Sequence, residues 1–209
     1  MRGSLADALI RLEADLRAIR VRWALVGGLA VSARAEPRTT RDIDVAIAIA
    51  GDREAEAVTR QLIARGYRIE THLEQEQTKR IATVRLLTPE QTPGILADAL
   101  FASSGIEREV TAEADVLEVL PGFFAPVAKI GHLLALKVLA LRPENPQERP
   151  QDAADIRELL RVADREEIQR ARDAIDLISR RGFDRGKDLG AEFERQLDQF
   201  REQQESGRS

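Results

Sequence analysis

The sequence predicts an α/β (α+β) fold, a small mixed sheet flanked by helices and followed by a C-terminal α-helical region. Three observations carry that expectation. Over the first half, short β-branched runs such as "DIDVAIAI" alternate with amphipathic segments, the pattern of strands interleaved with helices. The stretch "LVGGLAVSARA" joins a short apolar run to a helical one through two glycines, a strand-to-helix turn. Beyond Pro126 the character changes to one nearly all-apolar segment and then to long, highly charged helical sequence. A chain of 209 residues, 43% hydrophobic and 33% charged, suffices for one core with a helical annex. The expected division is residues 1–122 for the α/β core with its N-terminal helix, 123–203 for a helical region completing the cleft, and 204–209 for a disordered tail.

Element by element, Leu5, Leu9, Leu12 and Leu16 recur at helical spacing, so residues 4–20 form a packing helix. Trp23 to Val26 is a short strand, Gly27 and Gly28 turn the chain, and "LAVSARA" is a helix closed by Pro37. "DIDVAIAI" is a central strand ended by Gly51. Residues 52–65 form a helix with Asp52 as N-cap and Gly66 just past its end. "YRIE", "RIATVRLL", "ILADALF" and "VLEVL" supply further strands. "APVAKIGHLLALKVLALR" is a long apolar helix, "PENPQERP" a rigid loop and "QDAADIRELLRVA" a second helix; residues 165–180 and 184–203 add two more, and "EQQESGRS" is disordered.

Composition narrows the function classes. Without cysteine the chain has no disulfide framework, no thiolate-held zinc and no thiol nucleophile, which fits a reducing cytoplasm. A net charge of −4 and a single Trp and Tyr argue against nucleic-acid binding by bulk charge or stacking. The N-terminus is amphipathic and charged, unlike a signal peptide, and no apolar run reaches membrane-spanning length. The two histidines, His72 and His132, accompany no serine or metal-ligand pattern and read as core or surface residues.

Two motifs carry chemistry. Glycine lets backbone N–H groups approach a ligand, and a helix beginning there adds its positive end, so Gly27-Gly28 suits phosphate; the plainer reading is a tight turn with nothing bound. Asp42 and Asp44 flank one isoleucine on a strand and therefore point to the same face. Two such carboxylates repel, and a divalent cation with hard-oxygen preference would hold them together; salt bridges to Arg38 or Arg41 are the alternative.

Thirteen residues lie between Gly28 and Asp42, room for one short helix and a return to a neighbouring strand. With "PRTTRDIDV" this turn and acidic pair resemble the DNA polymerase beta type nucleotidyltransferase superfamily, whose signature is a Gly-Gly or Gly-Ser turn followed by Asp-hydrophobic-Asp. The resemblance implies a nucleotidyltransferase fold and a third carboxylate on a later strand. Asp98, the one acidic residue inside "GILADALF", is the candidate, ahead of Glu107, Glu109 and Glu118. It implies magnesium, or manganese in its place, held by Asp42, Asp44 and Asp98, the same three serving as catalytic residues.

The segment "FFAPVAKIGHLLALKVLALRPENPQERPQDAADIRELL" is similar to the AbiEii-type group of that superfamily, in which a helical lysine precedes Asp-x-x-Asp-Ile. The resemblance implies an NTP-binding role for Gly27, Gly28, Lys137 and Asp155; a Lys137–Asp155 bridge pinning two helices is the structural alternative. Gln151 stands where that group often has a lysine. The activity implied by the resemblance is a magnesium-dependent transfer of a nucleoside monophosphate from an NTP to a hydroxyl of an acceptor, tRNA or another macromolecule, by a toxin-type cytoplasmic enzyme with an antitoxin partner. A small-molecule, antibiotic-type transferase and a non-catalytic nucleotide-binding regulator are the alternatives.

Overall fold

A computed structural model of the chain describes residues 5–74, 80–89, 94–141 and 150–206. Its strands are β1 (Trp23–Val26), β2 (Asp42–Ile47), β3 (Arg68–Glu74), β4 (Ile81–Leu87), β5 (Leu96–Leu100), β6 (Asp115–Leu120) and β7 (Phe123–Val127). Its helices are α1 (Leu5–Ile19), α2 (Gly27–Arg34), α3 (Asp52–Ile63), α4 (Glu107–Ala112), α5 (Ile130–Ala140), α6 (Pro150–Val162), α7 (Arg165–Arg180) and α8 (Leu189–Ser206).

The strands form one mixed sheet in the order β3-β4-β5-β2-β1-β7-β6. β2 sits at its centre, antiparallel to β1 and parallel to β5. The burial of each strand follows its position. All of β1 is buried, while β4 alternates, with Ala82, Val84 and Leu86 inward and Arg85 outward. β3 is an edge strand, exposed throughout, and its Arg68, Glu70, Thr71 and Glu74 make the edge a poor template for pairing with another chain. Behind the sheet, α1 buries Leu9, Leu12 and Leu16, each worth about 2–5 kcal/mol against truncation to alanine. On the other side α5, apolar on nearly all faces, is enclosed by α2, α6, α7 and α8.

Several expected boundaries move. Residues 125–127, expected in a long helix, are the end of β7: Pro126 confines Ala125 to extended backbone, and Val127 pairs with Leu25 of β1. The helix therefore spans only Ile130–Ala140, and the division expected at residue 122 falls inside the β6–β7 hairpin. α2 ends at Arg34, before Pro37, and Gly51 rather than Asp52 is the N-cap of α3. α4 was not anticipated, since its six residues are too few to show a period. α8 runs to Ser206, so residues 202–206, expected in a disordered tail, are helical; Phe193 and Leu197 anchor that helix to the core. The expected loop "PENPQERP" lies outside the described residues apart from Pro150, which opens α6, and residues 207–209 lie outside them as well.

Candidate active site

The β1–α2 turn and the first half of β2 create the floor of a cleft of about 980 Å³. Gly27 adopts a left-handed φ of +62°, and a Cβ there would stand 1.9 Å from Asp44 Oδ2. The turn needs glycine because the Asp44 carboxylate lies against its backbone. The N–H of Gly28 donates to that same carboxylate, so the start of α2 serves an aspartate directly.

Asp42 and Asp44 project to one face of β2 while Ile43 is fully buried on the other. Among the described residues neither forms an ion pair, and the bridges to Arg38 or Arg41 considered from the sequence are not made; Asp42 accepts only from Thr40 Oγ1, at 3.2 Å. Parallel pairing of β2 with β5 sets Asp98 directly beside Asp44, and antiparallel pairing of β4 with β5 sets Arg85 beside Asp98. The guanidinium of Arg85 grips both carboxylate oxygens, Nε to Oδ1 at 2.8 Å and Nη2 to Oδ2 at 2.6 Å. Asp98 is buried, and Arg85 supplies the partner such a carboxylate requires. Glu107, Glu109 and Glu118 are engaged elsewhere, with the Ser103 and Ser104 amides, with Arg181 and with the Gly122 amide respectively.

The electrostatics single out Asp44. Burial first, then the charges of Asp42 and Asp98, push its carboxyl up to about 7, against the pull of Lys137 and the Gly28 N–H. An unpaired, co-facial carboxylate pair under this strain is the donor set a hard divalent cation neutralises. No three acidic or histidine side chains among the described residues form a closed metal cage, because Asp98 is turned to Arg85. Asp42 and Asp44 are thus the side chains that would hold a hard divalent cation.

The opposite wall is a buried ionic network. Lys137 Nζ lies 2.8 Å from Asp152 Oδ1 and 2.8 Å from Asp155 Oδ2, pinning α5 to α6. Arg38 reaches the same Asp155 from the loop before β2, Nε to Oδ1 at 2.7 Å, and Gln151 Nε2 donates to it at 3.1 Å. Burial would raise Asp155, but hydrogen bonds from Lys137, Gln151 and Arg38 outweigh it and hold its carboxyl below the usual range. Burial likewise opposes the Lys137 charge, and Asp152 and Asp155 more than offset it. The helix-pinning arrangement therefore exists, and both Lys137 and Arg38 still line the cleft.

The structure thus gathers Gly27, Gly28, Asp42, Asp44, Asp98 and Lys137 around one cleft, with Asp155 buried directly behind Lys137. Arg85, Thr40 and Asp152 join them, as do Ser103, Ser104 and Arg185 at the far end. Of these, Arg85 had a sequence signal: it is the charged member of the outward face of an alternating strand. No helix among the described residues is long and apolar enough to cross a membrane.

The family described as nucleotidyl transferase AbiEii toxin, Type IV TA system, matches residues 11–207. The crystal structure of ANT(2")-Ia in complex with adenylyl-2"-tobramycin is similar over 83% of this chain and 98% of that one, at 16% identity and a TM-score of 0.57. An antigenic nucleotidyltransferase-like protein from Paracoccidioides brasiliensis is similar over 90% of this chain and 91% of its own, at 19% identity and a TM-score of 0.50. At these identities the likeness is one of fold. No curated protein matches the sequence.

Proposed function

Given that the chain belongs to the AbiEii nucleotidyltransferase family, we propose that it transfers a nucleoside monophosphate from a magnesium-bound NTP to a hydroxyl of a macromolecule, tRNA being the leading class. The observation that carries this reading is the unpaired, co-facial Asp42–Asp44 pair on the cleft floor, with the Asp44 carboxyl pushed up to about 7. Such a pair is costly to keep unless a cation and a polyphosphate complete it.

Asp42 and Asp44 would hold the metal, with Asp98 beside Asp44 on the next strand. Magnesium, when bound, neutralises charge on the α-phosphate and on the departing pyrophosphate. Lys137 and Arg38 face the triphosphate from the opposite wall while Asp152 and Asp155 fix their side chains. Asp98 accepts the proton of the attacking hydroxyl, and the two-point grip of Arg85 fixes which way its oxygens face. The hydroxyl oxygen bonds to the α-phosphorus as the bond to the β-phosphate bridge breaks, and pyrophosphate leaves. Growth arrest with a cognate antitoxin, in the cytoplasm where NTP and magnesium are supplied, is the physiological setting of this proposal.

The test is nucleotide binding. Each of the four NTPs is titrated by calorimetry with magnesium or with EDTA. At least one NTP should bind only with magnesium, and Asp44→Asn should weaken it about tenfold or more. Equal binding by wild type and Asp44→Asn in magnesium would remove the metal assignment. Because ANT(2")-Ia shares the fold and its structure carries adenylyl-2"-tobramycin, acceptor assays should include small hydroxyl compounds beside RNA.

A further inference from the structure

Strand register divides the cleft into two ends. In the order β5-β2-β1, the Gly27-Gly28 turn continues β1 on one side of Asp44, and Asp98 stands on the other. Leu100 follows Asp98 on the same face of β5, about 7 Å further along the strand, and the β5–α4 loop then brings Ser103 and Ser104 to the cleft wall. A phosphate chain lying over the turn leaves the Asp98 end to a second molecule. A volume of about 980 Å³ stands at the top of the range for one small ligand, roughly 300–1,000 Å³. Leu73, Leu100, Leu133 and Leu136 give the Asp98 end apolar walls.

The rim of that end carries a cation on a strained backbone. Between α7 and α8 the Lys187 N–H returns to the Asp184 carbonyl oxygen at 3.2 Å, around Arg185 and Gly186 with φ of +59° and +73°. Both central residues of a type I′ turn need positive φ, so asparagine, aspartate or glycine is preferred where Arg185 stands. Arg20, the other non-glycine residue of positive φ among those described, closes α1, where a left-handed residue is common. Arg185 closes no helix, and a strained arginine lining a cleft points to a task for its side chain. The turn is clipped to the β5–α4 loop. Arg181 donates to the Gly105 carbonyl, a Cβ on Gly105 would stand 2.6 Å from the Phe183 ring, and Arg185 Nη2 lies 3.4 Å from the Ser103 carbonyl oxygen. Glu107 takes the Ser103 and Ser104 N–H groups and the Ser104 hydroxyl, while the Ser103 hydroxyl has no partner among the described residues. Besides Asp98, the carboxylate lining this end is that of Glu74, on the exposed edge strand β3.

We propose that Arg185 and the Ser103 hydroxyl form an anion subsite for a phosphate of the acceptor, so that the attacking hydroxyl belongs to a phosphate-bearing nucleoside. The inference rests on the transfer reading above, which puts that hydroxyl at Asp98. One nucleoside spans from Asp98 to the rim with its base against the leucines, and the guanidinium meets its phosphate. An RNA terminus and a free nucleotide share this chemistry.

The probe is a fluorescein-labelled RNA trinucleotide of mixed sequence with a free 3′-hydroxyl, titrated by anisotropy with the full chain in EDTA, so that binding is read without NTP or turnover. A Kd on the order of 100 μM or tighter is expected at about 50 mM salt. Arg185→Gln should weaken it about tenfold and lower the slope of log affinity against log salt by about 0.7, the mark of one lost phosphate contact. Ser103→Ala should weaken it about threefold at unchanged slope. Arg53→Gln, on an exposed position of α3, is the control for bulk charge and should have neither effect. Arg185→Gly, which suits the turn, replaces the glutamine variant should that one fail to fold. Unlabelled nucleoside 5′-monophosphates should displace the probe and the parent nucleosides should not. Stronger displacement by unlabelled trinucleotide than by monophosphates assigns the phosphate to RNA, and the reverse order to a free nucleotide. No binding up to about 1 mM, equal effects of Arg185→Gln and Arg53→Gln, or a loss of magnesium–NTP affinity in Arg185→Gln as large as that for RNA would overturn the subsite. Arg185-dependent RNA binding by a wild type that binds no NTP would instead remove the transfer reading and leave the anion subsite standing.

Discussion

Asp44 concentrates the chemistry of the site in one carboxyl group. Its pKa stands near 7 in the folded chain against an ordinary 3.8, so the folded state binds its proton more tightly than the unfolded one. Stability of the metal-free protein therefore falls as pH rises from about 4 to about 7 and levels off above, by at most about 4 kcal/mol because the carboxylate opens onto the cleft. Asp44→Asn should flatten that part of a urea-denaturation pH profile measured in EDTA, and saturating magnesium should flatten it in wild type. In the proposed reaction Arg85 acts through Asp98, whose two oxygens it holds. Arg85→Met should lower kcat about a hundredfold with little change in KM for the NTP, and Arg85→Lys should restore only part, since an ammonium cannot hold both oxygens. A purely structural arginine would instead lower the melting temperature with kcat per folded molecule unchanged. At this scale the shared face of Asp42 and Asp44 was legible in the sequence because a strand's period fixes which side chains point together, whereas Asp98 was singled out through the family resemblance and its third carboxylate. Arg85 was legible only as an outward charge on an alternating strand; its partner is set by cross-strand register, which a single segment does not encode.

The helical elements hold the second half of the site. Lys137, in an otherwise apolar α5, is balanced by Asp152 and Asp155 of α6. Lys137→Met leaves Asp155 to Arg38 and Gln151 and takes from Asp152 its Lys137 bridge, and should destabilise the fold by about 3–5 kcal/mol. Replacing Asp152 by Asn in the same chain should recover part of that loss in thermal melts; strict additivity of the two changes would show that the bridge carries no coupling. Close helix packing accompanies the network, since a Cβ on Gly131 of α5 would stand 2.5 Å from the Glu167 carbonyl oxygen of α7. The sequence showed the apolar run and the Asp-x-x-Asp spacing but placed the start of α5 too early. Residues 125–127 are as apolar as the helix after them, and only pairing of β7 with β1 and β6 decides their state. That is a tertiary override of local pattern.

At the scale of the whole molecule, the sheet and the helical layer are two walls of one cleft, with carboxylates on the first and paired cations on the second. Alternation of apolar and helical segments revealed the fold class because each element must bury one face. The strand order, with β5 beside β2 rather than beside β6, decides which carboxylates meet, and no local pattern specifies it. The division of labour between the walls makes transfer the property to test. The decisive assay incubates each α-phosphate-labelled NTP with magnesium, total RNA and cell extract, comparing wild type with Asp44→Ala. The account predicts label on RNA with wild type alone. Magnesium-dependent nucleotide binding without transfer to any macromolecule, or label found only on a small hydroxyl compound, would contradict it.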